Sequence, residues 1–267
     1  MTASRSTSHG DSNASQDKGK RRALVTGAAH GLAAGIAPLL AHDGFGTIAI
    51  TYRNTPPDET LAAIEAAGAS GAAVRVDFLD EVAAIEAALR DANERYGPFD
   101  TLVHGVGPLP VKRFTDATID DYREAIDGNL RSAILTAKAT LPAMREARFG
   151  RLIFFGMPGS SETRPFKSLS LYQSAKSGLV AFARSLALEE APHGITINVV
   201  SPGDIRDKGI DRAQARERQA NNPRGRPGSY EDVADTVRFL VAPERDFITG
   251  AVIEVTGGLQ SAQEKAR

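Results

Sequence analysis

Seven short apolar runs recur along the chain with longer amphipathic segments between them, and this alternation constrains the fold more than any other feature. The runs are ALVTG (23–27), TIAITY (47–52), AAVRVD (72–77), TLVHGV (101–106), RLIFFG (151–156), ITINVV (195–200) and AVIEV (251–255). Their length and near-continuous apolar character suit strands covered on both faces. Between them, apolar residues at helical spacing predict helices near 31–43, 57–67, 80–96, 118–147, 171–190 and 229–241. The expected fold class is therefore α/β: a single doubly wound Rossmann-type parallel seven-stranded sheet flanked by helices on both faces. With 267 residues and 42% hydrophobic content, the chain can bury one such core.

Two segments stand outside the alternation. Residues 1–20 are Ser-rich and nearly devoid of large apolar side chains, so a disordered tail is expected there, with KGKRR as a solvated lead-in to a domain spanning 21–267. Residues 203–229 are long, polar and Arg-rich, and a connection of that length predicts a lid or mobile segment. Its Arg206, Arg212, Arg216, Arg218, Arg224 and Arg226 suit a phosphopantetheine, a CoA phosphate or an acidic carrier protein. The same segment also reads as a solvated helix, since Asp207, Asp211 and Glu217 are interspersed.

Charge and composition narrow the partners. Lys and Arg total 32 against 33 Asp and Glu, which removes the basic excess of a nucleic-acid or membrane-surface binder. The absence of cysteine excludes disulfides, thiolate nucleophiles and Cys-ligated metals, and no metal is expected. No apolar run approaches the roughly 18 residues of a membrane span, and the N-terminus has no apolar signal region, so a cytoplasmic location is expected.

The first run leads directly into TGAAHGLAAG, Thr26 to Gly35, and then a helix. A glycine-rich turn at that place lets backbone approach a pyrophosphate at a helix N-terminus, although such turns also arise for purely structural reasons. The second run ends in Thr51, Tyr52, Arg53 and Asn54 with no acid, so Arg53 is a candidate clamp for the 2′-phosphate of NADP, or else a solvated loop residue. Asp77 ends the third run, where it could accept from an adenine amino group or serve as a turn residue, leaving Asp80 to cap the next helix.

Tyr172 and Lys176 stand one helical turn apart on one predicted face. An ammonium beside a phenol favours the anion and is expected to bring its pKa toward neutrality, as a general acid/base exchanging protons with a carbonyl or alcohol requires.

Taken together, these elements resemble the short-chain dehydrogenase/reductase family, and most closely its β-ketoacyl-acyl-carrier-protein reductases, over residues 22 to about 259. The matching elements are T-G-x-x-x-G at Thr26–Gly31, Asp77, Asn129 in GNLRSA, Y-x-x-x-K at Tyr172–Lys176, Pro202-Gly203, and ITGAVIEVTGG at 248–258. The resemblance implies Tyr172 as proton donor, Lys176 on the cofactor ribose and beside the Tyr, and Asn129 holding a water in a proton relay. It further implies NADP(H) contacts at Gly27, His30, Gly31, Leu32, Arg53, Asp77, Phe78 and Gly105, and then at Pro202, Gly203 and Ile205. The implied activity interconverts a ketone and a secondary alcohol, with the substrate free or carried on a carrier protein or CoA. The implied assembly is a homotetramer formed through long helices, for which LRSAILTAKATLPAM offers an apolar face; that face also suits packing on its own sheet. Carrier docking in such reductases uses basic residues at positions held here by Arg148 and His193.

Several positions depart from the family pattern. Ala33 replaces the third glycine of the turn. The family's Asn-Asn-Ala-Gly is His104-Gly105-Val106-Gly107, with His104 expected to be a packing residue rather than a catalyst. A Thr near the nicotinamide is replaced by Asp207. Met157 occupies the place of the catalytic serine in strand register, yet stands two residues further from Tyr172 than the family spacing. Either Ser160 or Ser161 swings in, or the serine is lost, or another group such as a backbone N–H replaces it.

Overall fold

In the computed structural model, residues 20–205 and 209–259 are described. Residues 1–19 of the expected tail, and Arg206 and Asp207 of the expected lid, lie outside them. The strands are β1 (Arg22–Thr26), β2 (Thr47–Tyr52), β3 (Ser70–Arg75), β4 (Thr101–His104), β5 (Gly150–Phe155), β6 (Ile195–Pro202) and β7 (Val252–Val255). All seven pair in parallel, as the alternation predicts, and their order is β3-β2-β1-β4-β5-β6-β7.

The helices are α1 (Gly31–His42), α2 (Asp58–Ala66), α3 (Val82–Tyr96), α4 (Ile119–Ile126), α5 (Ser132–Ala147), α6 (Ser170–Glu190), α7 (Arg212–Arg216) and α8 (Tyr230–Val241). Side chains of a strand alternate between faces, so each strand feeds two cores. Leu24, Leu102, Leu152 and Phe154 pack with Ile85 of α3, Ala133 of α5 and Leu179 of α6. Val25, Ile48, Val103 and Ile153 pack on the other face with Ile36 of α1, Ile64 of α2 and Val237 of α8.

Two expectations need correction. The helix predicted over 118–147 is interrupted at Asp127–Arg131 by a π-turn between α4 and α5. Gly128 presses against Pro108, where a Cβ would come within 2.6 Å of the proline ring, and Asn129 Nδ2 donates to the Ala125 carbonyl. The widened turn satisfies both contacts, and such turns often occur at functional sites. The cap of α3 is also not Asp80, since the N-cap position is Glu81.

The connection before α8 is pinned at many points rather than free. Helix α7 begins with a reciprocal capping box between Asp211 and Gln214. Arg212 pairs with Asp232 and Asp235 of α8, and Arg226 also pairs with Asp232. Two of the arginines read as candidates for anion docking are thus neutralised within the chain.

The winding reverses between β1 and β4, so the loops following these strands diverge and leave a crevice. Gly105, just past β4, lies where a Cβ would stand 2.5 Å from the Thr26 carbonyl and 2.6 Å from Ala33 Cβ. The alanine in place of the third glycine is therefore accommodated by a glycine on the neighbouring strand end. Gly105→Ala is expected to destabilise the protein by about 1–3 kcal/mol through overpacking, read as a lowered urea midpoint at unchanged m-value.

Candidate active site

The crevice is a cavity of about 680 Å³ at the carboxyl ends of the strands. Its walls hold Gly27, His30, Gly31 and Leu32 from the β1–α1 turn, Arg53 after β2, Asp77 and Phe78 after β3, and Gly105 after β4. Pro202, Gly203 and Ile205 close it beyond β6, and Tyr172 and Lys176 reach it from α6. Residues scattered over the sequence as cofactor candidates are thereby brought to one space.

Thr51, which sequence reading passed over as a site residue, fixes the glycine-rich turn. Its Oγ1 accepts from the Gly27 N–H at 3.0 Å, and its carbonyl accepts from the Ala28 N–H at 3.1 Å. Gly27 and Gly31 have φ of 66° and 72°, values that glycine adopts without penalty. His30 occupies the N-cap of α1 without a side-chain hydrogen bond to the first turn, so no side chain there competes with an anion for the leading amides. At the far end, Arg53 Nε donates to Asp77 Oδ2 at 2.8 Å while Asp77 Oδ1 accepts from the Leu79 N–H at 2.9 Å. Asp77 is thus both a turn residue and the partner that orients Arg53.

The opposite end carries the titratable groups. Lys176 is buried and its Nζ donates to the Phe155 carbonyl at 2.6 Å, 5.6 Å from the centroid of the Tyr172 ring. Burial pushes the Tyr172 phenol up to about 12. This runs against the expectation of a phenol drawn toward neutrality, because desolvation by burial disfavours the anion. The phenol keeps its proton near neutral pH.

Asn129 does not line the cavity but stands behind Gly107. Its Nδ2 donates to Pro108 and Ala125 carbonyls, each at 2.9 Å, which leaves Oδ1 buried without a hydrogen-bond partner. A Cβ on Gly107 would lie 3.2 Å from that Oδ1 and 3.3 Å from Lys176 Nζ. A glycine there keeps the two polar atoms facing a common space.

Met157 lines the cavity at the position expected for the serine. Neither Ser160 nor Ser161 does. Ser160 is buried and its Oγ turns back to donate to the Met157 carbonyl at 2.8 Å. Glu254 of β7 fastens the same loop by accepting from the Gly159 N–H at 2.8 Å. The swung-in serine is thus not found, and a thioether, with no hydrogen to donate, occupies the wall.

His104 is fully buried and outside the cavity, as expected of a packing residue, yet it is also bonded at both nitrogens. Nδ1 lies 3.0 Å from Thr26 Oγ1 and Nε2 lies 3.0 Å from Ser132 Oγ. Burial, helped by the Lys176 charge, lowers its pKa to about 3. The unfolded chain takes up a proton near the ordinary value of 6.5, whereas the native ring resists it. The contribution of His104 to stability is therefore complete above about pH 6.5 and is lost as pH falls toward about 3. Urea titrations from pH 7 to pH 4 are expected to show a decline on the order of 1 kcal/mol per pH unit from this group, and His104→Gln should remove that share.

Comparison with known proteins fits this geometry. The sequence pattern of the family described as Enoyl-(Acyl carrier protein) reductase matches residues 27–260. The chain is 33% identical over 245 residues to the 3-oxoacyl-[acyl-carrier-protein] reductase FabG of Vibrio harveyi, covering 89% of this chain and 96% of that one. It is 30% identical over 246 residues to the short-chain reductase protein NovJ of Streptomyces niveus, covering 88% and 92%. Among solved structures, acetoin dehydrogenase from Enterobacter cloacae superposes with a TM-score of 0.80 at 26% identity, covering 92% of this chain and 98% of that one. The parallel sheet, the crevice at its winding reversal and these relatives together establish that the chain belongs to the short-chain dehydrogenase/reductase family of nicotinamide-dinucleotide oxidoreductases.

Proposed function

We propose that this protein is an NADP(H)-dependent reductase that interconverts a ketone and a secondary alcohol, with Tyr172 as general acid/base. The observation that carries the reading is the convergence of Tyr172 and Lys176 on the same cavity as the glycine-rich turn. A bound nicotinamide supplies or accepts the hydride. Tyr172 donates its phenolic proton to the carbonyl oxygen in reduction and recovers one afterwards. Lys176, fixed by the Phe155 carbonyl, is the basic group beside that phenol and would hold the ribose of a bound dinucleotide. Asn129 offers its unpartnered Oδ1 to a water that passes protons to Lys176.

The cavity wall includes Leu109, Met157, Pro158, Leu169 and Leu259, which suits an apolar ketone, free or as a 3-oxoacyl group on CoA or a carrier protein. For a carrier, Arg148 and His193 are the proposed contacts, brought side by side because Arg148 Nη2 donates to the Pro192 carbonyl at 2.8 Å. A cytoplasmic homotetramer is the proposed assembly. Ile134 of α5 stands exposed with Phe114, Ile119 and Tyr122, whereas most of the remaining apolar face of α5 is spent on its own sheet. Among the described residues, no helix is long and apolar enough to cross a membrane.

A second reading, a dinucleotide-binding sensor or partner subunit with little catalysis, is favoured by the thioether of Met157 where a hydroxyl donor is expected. One experiment separates the two: NADPH consumption over a panel of neutral ketones. Under the first reading, Tyr172→Phe lowers kcat by about 10²–10⁴, and Met157→Ser raises it by up to about 10² by restoring a donor. Tight NADPH binding without turnover on any ketone supports the second.

Cofactor choice is tested separately. Arg53→Ala is expected to raise the NADPH dissociation constant about tenfold, the equivalent of one charge-assisted contact, and to leave NADH binding unchanged in a fluorescence titration.

A further inference from the structure

The hydrogens around His104 can be assigned from their neighbours. Thr26 Oγ1 accepts from the backbone N–H groups of Gly105 at 3.1 Å and Val106 at 3.4 Å, so its own hydrogen is free to point at His104 Nδ1. Ser132 Oγ donates to the Gly128 carbonyl at 2.8 Å, so toward the ring it accepts. The ring is therefore the neutral tautomer with its hydrogen on Nε2. Thr136 Oγ1, 3.2 Å from Nδ1, is within reach of the Ser132 and Ala133 carbonyls but is also able to turn its hydrogen to Nδ1, so the assignment rests on Thr26 and Ser132.

The result is a one-way chain: Thr26 O–H to His104 Nδ1, His104 Nε2–H to Ser132 Oγ, Ser132 O–H to the Gly128 carbonyl. Its first member abuts Gly27, whose turn forms the nucleotide end of the cavity. Its last member lies in the π-turn, one residue before Asn129. Phe78 and Phe154 hold the ring edge-on, each with its centroid 6.1 Å away, so the imidazole cannot rotate out of line without disturbing both.

We infer that His104 is a positioning residue that locks the π-turn carrying Asn129 to the glycine-rich turn through this chain of hydrogen bonds. The side chain touches neither cavity nor reacting atoms. Its action passes through Asn129 on one side and Gly27 on the other. The consequence for catalysis rests on the ketone-reductase reading above, whereas the bonding itself does not.

The test therefore has two arms. In the first, ring nitrogens of His104 are observed by ¹⁵N NMR in the unaltered protein. A neutral ring with its hydrogen on Nε2 at pH 7 is expected; a hydrogen on Nδ1, or a charged ring, overturns the inference. In the second, His104→Phe keeps a planar ring but removes both bonds, and His104→Gln keeps a donor directed at Ser132. His104→Phe is expected to lower kcat by about 10–10², with His104→Gln recovering most of that loss at a matched melting temperature. Equal kcat values for the two variants at matched melting temperature, or wild-type kcat in His104→Phe, overturn the inference. If the wild-type protein turns over no ketone, the ketone-reductase reading fails, and the ring measurement still decides the bonding of His104.

Discussion

The sheet reverses its winding between β1 and β4, and the functional end of the molecule is built on that reversal. Backbone must pass close to backbone where the two strands end, because Thr26 and His104 are register partners and both loops leave from this point. Small residues make the approach feasible: Gly105 under Ala33, Gly27 under Val106, and Gly107 in front of Asn129 and Lys176. Each of these contacts would be blocked by a larger side chain, and each opens onto the same cavity.

At the chemical end, the dominant physical quantity is desolvation. It raises the Tyr172 phenol and lowers His104, holding both groups neutral through the physiological range. A neutral phenol is a proton donor, and a neutral imidazole both accepts and donates, so one burial effect prepares two different tasks. Between them, Lys176 Nζ donates to the Phe155 carbonyl and stands 5.6 Å from the centroid of the Tyr172 ring.

Much of this was legible in the sequence, because periodicity and glycine placement report directly on buried strands and close backbone approach. The seven parallel strands, the turn at Gly27 and the Tyr172–Lys176 pair follow from such local patterns, whereas the order of the strands is read only from the folded sheet. The π-turn did not: the segment 118–147 is continuously amphipathic, and only the contact of Gly128 with Pro108 shows why the helix must widen. The direction of the phenol pKa was not legible, because spacing tells that Lys176 is near but not how deeply the Tyr172 ring is buried. Thr51 and Ser132 carried no signal, since an isolated hydroxyl in a strand or helix acquires meaning only from what folds against it. The lid arginines were visible, but their partners on α8 were not.

The loop after β5 has a further consequence. Its shape is maintained by the Gly159 amide on Glu254, by the Ser160 hydroxyl on the Met157 carbonyl, and by the Ser177 hydroxyl on the Ser160 carbonyl. None of these bonds uses the side chain at position 157. The loop is thus a socket whose walls are independent of what is plugged into it: a thioether, a hydroxyl or a methyl group can be presented to the cavity while the backbone stays as it is. What stands at position 157 then weighs on the fold through packing alone, since the Met157 side chain is buried, and not through the bonds that shape the loop.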